Sequence, residues 1–363
     1  MFTLIKKFKS ARLGTLQLKH GKVETPVFMP VGTVASVKTM LPEDLHKMEA
    51  QIILGNTYHL FLRPGLEIIR EFDGLHNFMS WDKPILTDSG GYQIFSLGKN
   101  RKITEEGAFF ASHLDGQKFM LTPELAVKIQ ETLGSDIHMV LDECPAYPIT
   151  KTEAEKSLDM TLRWAERSRK AKTKADLCQF GIVQGGMFED LRLKSIEHLS
   201  NMNFEGYSIG GLSVGEPKDK MIAMVTVCGE ILPSNKPRYL MGVGTPLDLI
   251  ESVNLGVDMF DCVMPTRNAR NGCLFTSMGK VTIKHSKYKM DKSPLDPNCS
   301  CYTCENFSKS YLRHLYQAKE LSALRLFTLH NLTYYQNFMQ AIRESIKNDT
   351  FTSLLNEQRA IWS

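Results

Sequence analysis

The chain is 363 residues long, 42% hydrophobic and 23% charged, with no low-complexity tract, which excludes a disordered or fibrous protein and supplies apolar material for a large core. Its net charge of +4 is too small to require a polyanionic partner by itself, so the distribution of charge matters more than its sum. No apolar run near the N-terminus is long enough for a signal peptide and no later one is long enough to span a bilayer, so a cytoplasmic protein away from membranes is expected, its eight cysteines reduced.

Short apolar or β-branched runs recur at 26–30, 52–55, 85–88, 139–142, 180–184, 207–210, 239–243 and 259–263, and each reads as a buried parallel strand. Segments with helical spacing lie between them, for example Leu66, Ile69 and Phe72, or Leu158, Leu162 and Ala165, or Met221, Met224, Val225 and Cys228. No dinucleotide or phosphate-loop fingerprint follows the first strand. The alternation therefore predicts a closed α/β (β/α)8 TIM barrel in preference to an open doubly wound sheet. Asp115-Gly116, between two β-prone segments, predicts a hairpin on the rim. Leu332, Tyr335, Phe338, Ile342 and Ile346 predict one last amphipathic helix, the eighth of the outer ring. No linker marks a boundary, so residues 1–363 read as one barrel domain, with 286–330 inserted before that last helix.

Several polar groups fall at predicted strand ends, which in a barrel converge on one face. Asp88 closes the third strand, Asp142 the fourth and Gln184 the fifth, while Asp261 lies in the eighth. Any one of these carboxylates alone is as readily a helix cap or a satisfied acceptor, but three on matching strand ends form a constellation. Two carboxylates in one cleft suit glycosidic chemistry, one attacking the anomeric carbon while the other manages protons. An ordinary Asp is already ionised at neutral pH, so the nucleophile needs no tuning. Glycines at 90, 91, 185, 186, 210 and 211 let backbone approach a flat ligand.

From Cys262 to Met290 the chain has no acidic residue but carries Arg267, Arg270, Lys280, Lys284, Lys287 and Lys289, either a solvated face or a phosphate-facing patch. Cys299, Cys301 and Cys304 are either unrelated thiols or, with His330, a complete tetrahedral zinc set. Four protein ligands leave no open position, so a zinc ion held there, one per subunit, is structural.

The stretches Thr25-Pro-Val-Phe-Met-Pro-Val-Gly-Thr33, Leu54-Gly-Asn-Thr-Tyr-His59, Thr87-Asp-Ser-Gly-Gly-Tyr-Gln93, Val183-Gln-Gly-Gly186, Ile209-Gly-Gly-Leu-Ser-Val-Gly-Glu216, Arg238-Tyr-Leu-Met-Gly-Val-Gly244 and Asp258-Met-Phe-Asp-Cys-Val-Met-Pro-Thr-Arg267 resemble, in order, those of bacterial tRNA-guanine transglycosylases. That resemblance covers nearly the whole chain. It implies a barrel with a zinc subdomain that exchanges guanine at the wobble position of G-U-N tRNAs for a 7-deazaguanine. It also implies a homodimer. Carried over by motif, Asp261 is the nucleophile toward ribose C1′ and Asp88 the general acid/base. Asp142, Gln184 and the backbone at Gly211 and Leu212 would bind the edges of the base, and Tyr92 and Met241 its faces. Thr266, Arg267, Asn268, Ala269 and Arg270 would read the anticodon loop.

Departures from the family pattern are few: Pro145 comes one residue early, and Ser208 and Ser213 stand where alanine is commoner. Val214 stands where members that use the bulkier queuine tend to have glycine, which favours the smaller 7-aminomethyl-7-deazaguanine. A non-catalytic tRNA-binding subunit is disfavoured because both Asp88 and Asp261 are present. A metal-dependent barrel hydrolase would need open-site ligands such as a His-x-His on strand one, where Phe28-Met29-Pro30 stands instead.

Overall fold

The computed structural model describes residues 1–97 and 101–362. Three antiparallel strands open the chain, β1 (Phe2–Phe8), β2 (Ala11–Leu18) and β3 (Gly21–Thr25). Lysines at 6, 7 and 9 disguise this sheet in the sequence. Its inner face nevertheless carries Ala11, Leu16, Leu18 and Val23, all buried in the main core.

The barrel follows. Its strands are β4 (Val27–Met29), β5 (Val31–Gly32), β6 (Ile53–Gly55), β7 (Ile85–Thr87) and, beyond a rim sheet, β11 (Ile137–Met139), β12 (Cys178–Val183), β13 (Gly206–Ile209), β14 (Arg238–Leu240) and β15 (Met259–Asp261). The pairing order is β4-β15-β14-β13-β12-β11-β7-β6-β5. Since β4 and β5 are separated only by Pro30, they are two halves of one strand, and a nine-piece sheet closes as an eight-stranded barrel. Proline has no N–H to give the ladder, yet its carbonyl still accepts from Leu54 N at 3.0 Å, so the ring survives the break. Nearly every barrel residue is buried, as expected of parallel strands covered on both faces.

The fourth barrel strand begins at Ile137, two residues before the expected 139–142. Every residue from Ile137 to Leu141 is buried, so the apolar run carries no phase, and Asp142 lies beyond the strand instead of closing it. The rim sheet comprises β8 (Lys102–Ile103), β9 (Ala108–Ala111) and β10 (Lys118–Leu121). The hairpin forms, but its last ladder pair is Ala111 with Lys118. Asp115 and Gly116 thus sit within a longer loop, where the Asp115 carboxylate accepts from Gln117 N at 3.1 Å.

The outer helices bury the residues their spacing selects, among them Leu158, Leu162 and Ala165 of Lys151–Ala171 and Met221, Met224, Val225 and Cys228 of Lys218–Ile231. After the hairpin β16 (Cys273–Thr276) and β17 (Gly279–Thr282), the helix Leu321–Lys347 runs 27 residues without a break. It was expected to begin near Leu332. Instead it starts eleven residues earlier and carries His330 as well as the barrel-facing Leu332, Tyr335, Phe338, Ile342 and Ile346. Nor is it the last helix, because Phe351–Trp362 follows it. Around its first half, Leu274, Ile283, Leu295, Cys301, Cys304, Leu312 and Phe327 form a core of their own.

Candidate active site

The C-terminal ends of the barrel strands bring the predicted carboxylates together. Asp88, the first residue past β7, is buried and bonds the adjacent loop beyond β6: its carboxylate accepts from Asn56 Nδ2 at 2.5 Å and Thr57 N at 2.9 Å. Gln93 Nε2 at 2.8 Å and Gly90 N at 3.2 Å complete the shell. Burial pushes its carboxyl up to about 6, against the pull of these donors, and the negative charge of Asp261 adds to the rise. A group titrating there can give and take a proton near neutrality.

Asp261 ends β15, with its Oδ1 accepting from Tyr239 Oη at 2.6 Å and from Gly242 N at 2.8 Å. Tyr239 stands on the neighbouring strand β14, and Gly242 turns the loop after it with φ +71°. Burial raises this carboxyl as well, while the two donors favour its ionised form. Among the described residues Oδ2 accepts no hydrogen bond, which leaves one oxygen of a fixed carboxylate for chemistry.

Asp142 and Gln184 lie past the adjacent strands β11 and β12, and Gln184 Nε2 donates to Asp142 Oδ2 at 2.7 Å. Both are buried, and the Asp142 carboxyl is pushed up to about 6 by burial, with Asp88 among the charges that add to it. Gln184 Oε1 is buried without a partner, an orphaned acceptor in a position to take a donor from a ligand. Gly211 crosses directly over it with φ +65°, and a Cβ there would collide with that oxygen. Leu212 is buried beside it. Tyr92, on the helix Gly91–Leu97, is 55% exposed, so it is not a core aromatic, and Met241 is half-buried in the loop after β14. The site is thus a polar-floored slot with an exposed aromatic at its rim.

The stretch 266–270 lies on the short helix Met264–Arg270 that leaves β15. Arg267 is exposed, and Asn268 and Arg270 are half-buried, whereas Thr266 and Ala269 point inward. Their side chains are packing groups, so a ligand on this helix meets chiefly Arg267, Asn268 and Arg270. Lys280, Lys284, Lys287 and Lys289 are all exposed beyond it.

Cys299, Cys301, Cys304 and His330 bring their ligand atoms within 4.8 Å of one another. His330 Nδ1 lies 3.3 Å from Cys304 Sγ and 3.6 Å from Cys301 Sγ, while its Nε2 faces the Phe275 carbonyl at 2.8 Å. That outer bond fixes the proton on Nε2 and turns the Nδ1 lone pair toward the sulfurs, the arrangement of a metal-ligating imidazole. The cluster can bind a metal ion, and its residues fit one with tetrahedral thiolate and imidazole preference.

Sequence reasoning gave no role to Asn56, Gln93, Tyr239 and Gly242, which hold Asp88 and Asp261. All four lie inside the motif stretches quoted above, but neutral hydrogen-bonding residues carry no signature of their partner. The family model described as "Queuine tRNA-ribosyltransferase" matches residues 7–363. A protein of Neisseria meningitidis serogroup A with that name is 58% identical over 352 residues, spanning 96% of this chain and 95% of its own. One of Francisella tularensis subsp. novicida is 55% identical over 356 residues, spanning 98% and 97%. With the family's motifs folded into one slot at the strand ends, the chain belongs to the queuine tRNA-ribosyltransferase family and is an enzyme of the tRNA-guanine transglycosylase type.

Proposed function

We propose that the enzyme replaces guanine at the wobble position of G-U-N tRNAs, those for Asp, Asn, His and Tyr, with 7-aminomethyl-7-deazaguanine, a step in queuosine biosynthesis. The observation that carries this reading is the pair Asp88 and Asp261, a buried and a half-buried carboxylate close enough for the charge of Asp261 to raise the proton affinity of Asp88 yet held by different donors. Asp261 attacks ribose C1′ with its free oxygen as the C1′–N9 bond breaks, and Asp88 gives guanine the proton it needs to leave. The incoming base then loses a proton to Asp88, and its N9 attacks C1′ and expels Asp261. Two displacements retain the configuration at that carbon.

Asp142, Gln184 and the backbone at Gly211 and Leu212 bind the base edges, with Tyr92 and Met241 against its faces. Arg267, Asn268 and Arg270 read the unstacked anticodon bases, and the exposed lysines meet phosphates. In this reading residues 286–330 fold around one structural zinc ion, and the chain works in the cytoplasm as a homodimer. The relatives are named for queuine. Half-buried Val214, its N–H held by Glu216 at 2.9 Å, supports the smaller precursor instead.

The test is mass spectrometry of an unmodified G-U-N tRNA incubated with each base in turn, using wild type and Asp261→Asn. Replacement of the wobble guanine by wild type alone, with the aminomethyl base preferred, is expected. Preference for queuine would overturn the substrate assignment, and no exchange with either base would leave a tRNA-binding subunit as the better reading.

A further inference from the structure

A second group of metal-ligand side chains lies at the opposite, N-terminal end of the barrel. His20 comes from the turn between β2 and β3, His76 from the helix Leu75–Met79, and Asp136 from the residue before β11. Their ligand atoms also lie within 4.8 Å of one another. His20 Nδ1 is 2.9 Å from Asp136 Oδ1, and His76 Nε2 is 3.4 Å from Asp136 Oδ2 and 3.1 Å from the Lys83 carbonyl. The two imidazoles stack with centroids 3.6 Å apart and planes 20° apart.

We propose that His20, His76 and Asp136 form a second divalent-metal site, for an imidazole-preferring cation such as Zn2+ or Ni2+, that ties the N-terminal sheet to the underside of the barrel. Bonds of about 2.0–2.2 Å from zinc to nitrogen and oxygen put two ligands on one ion roughly 3.0–3.5 Å apart. The His–Asp separations already lie close to that spacing. His20 Nδ1, His76 Nε2 and the backbone N–H of Ile85 all meet the Asp136 carboxylate, so the three side chains already converge on one point.

Access differs among the three. Asp136 is fully buried, but His20 keeps 27% of its side chain exposed and His76 11%, so an ion can enter from solvent. Parallel rings aim their lone pairs side by side, so capture requires one to turn. His20, the more exposed of the two and next to Gly21 with φ +138°, is the one that turns. Capture moves the proton of each imidazole from the nitrogen that faces Asp136 to the one turned away from the ion. Imidazole and carboxylate without thiolate separate this set chemically from the cysteine cluster. Its position, on the face of the barrel away from the carboxylate slot, predicts a role in stability and not in turnover.

The test is metal content per chain after protein with its cysteine cluster loaded is incubated with excess Ni2+ or Zn2+ and desalted. Wild type is expected to carry two ions, and His20→Gln and His76→Gln one each with unchanged turnover. Added Zn2+ should raise the wild-type thermal midpoint by about 2–4 °C and leave both variants unmoved. Both replaced side chains reach solvent, and circular dichroism together with turnover verifies their fold. One ion per wild-type chain would overturn the proposal in favour of a purely hydrogen-bonded cluster. A second ion retained by both variants would overturn it by locating the ion elsewhere.

Discussion

The two ends of the barrel bury carboxylates under opposite conditions, and β15 carries an example of each three residues apart. Asp258, just below the strand, is wholly buried, but Arg12 Nε lies 3.2 Å away, and Arg238, whose own N–H donates to it at 2.8 Å, adds a second positive charge. Asp136 at the same end has His20 and His76. At the other end Asp88, Asp142 and Asp261 are held by Asn56, Gln93, Gln184, Tyr239 and backbone N–H groups, all neutral. Burial raises the proton affinity of carboxyls at both ends; only below does a cation oppose it. Compensated charge is architecture, whereas uncompensated charge persists where the chemistry uses it.

Removing compensation below should give the largest effect. Arg12→Met leaves Arg238 as the one cation opposing the burial of Asp258 and should cost about 3–5 kcal/mol in urea unfolding, with residual activity following the folded fraction. A loss under about 1 kcal/mol would mean that the pair is not compensation at all.

Above, Tyr239→Phe removes one donor to Asp261, the proposed nucleophile, and should lower kcat by roughly 10- to 100-fold, the worth of a hydrogen bond to a charged group. The thermal midpoint should barely move. An unchanged kcat would separate Asp261 from the role given to it here.

Asp142→Asn should stabilise. The folded carboxyl is pushed up to about 6 from an ordinary 3.8, so the folded state binds the proton more tightly than the unfolded one. Stability from that group is complete below about pH 4 and declines as pH rises through about 6. Asparagine escapes that loss. Its advantage over wild type should be on the order of 2 kcal/mol at pH 8 and vanish near pH 4, while base binding weakens. Equal stability across the range would place Asp142 among the compensated carboxylates.

The sequence made the barrel legible because its strands are buried on both faces and alternate with helices whose apolar residues keep period. What it hid follows from the same physics. The strand at Ile137 is apolar throughout, so nothing marks where it starts. The sheet β1–β3 alternates buried and exposed residues among lysines, and its buried set is too sparse to stand out. Asp88, Asp142 and Asp261 were visible as acids at strand ends. Their holders were not, because Asn56, Gln93 and Tyr239 become informative only when folding sets them opposite a carboxylate. The basic stretch was legible as charge, but only the helix Met264–Arg270 reveals that Thr266 and Ala269 face inward.

The unbroken helix Leu321–Lys347 gives the metal cluster a longer reach than its own subdomain. Next to His330, Asn331 Nδ2 donates to the Pro265 and Cys273 carbonyls at 3.0 and 3.1 Å, and its Oδ1 accepts from Phe275 N at 3.0 Å. One turn on, Tyr335 Oη donates to the Gly244 carbonyl at 2.5 Å. The ligand is therefore threaded on the same rod that clamps the root of the arginine-bearing helix. On the proposed roles of that helix and that cluster, slackening the rod from its metal end would loosen the grip on a polynucleotide before it disturbed a slot built from barrel strands. Starved of its ion, such a molecule would still recognise a free nucleobase but would have lost its hold on the chain to which that base belongs.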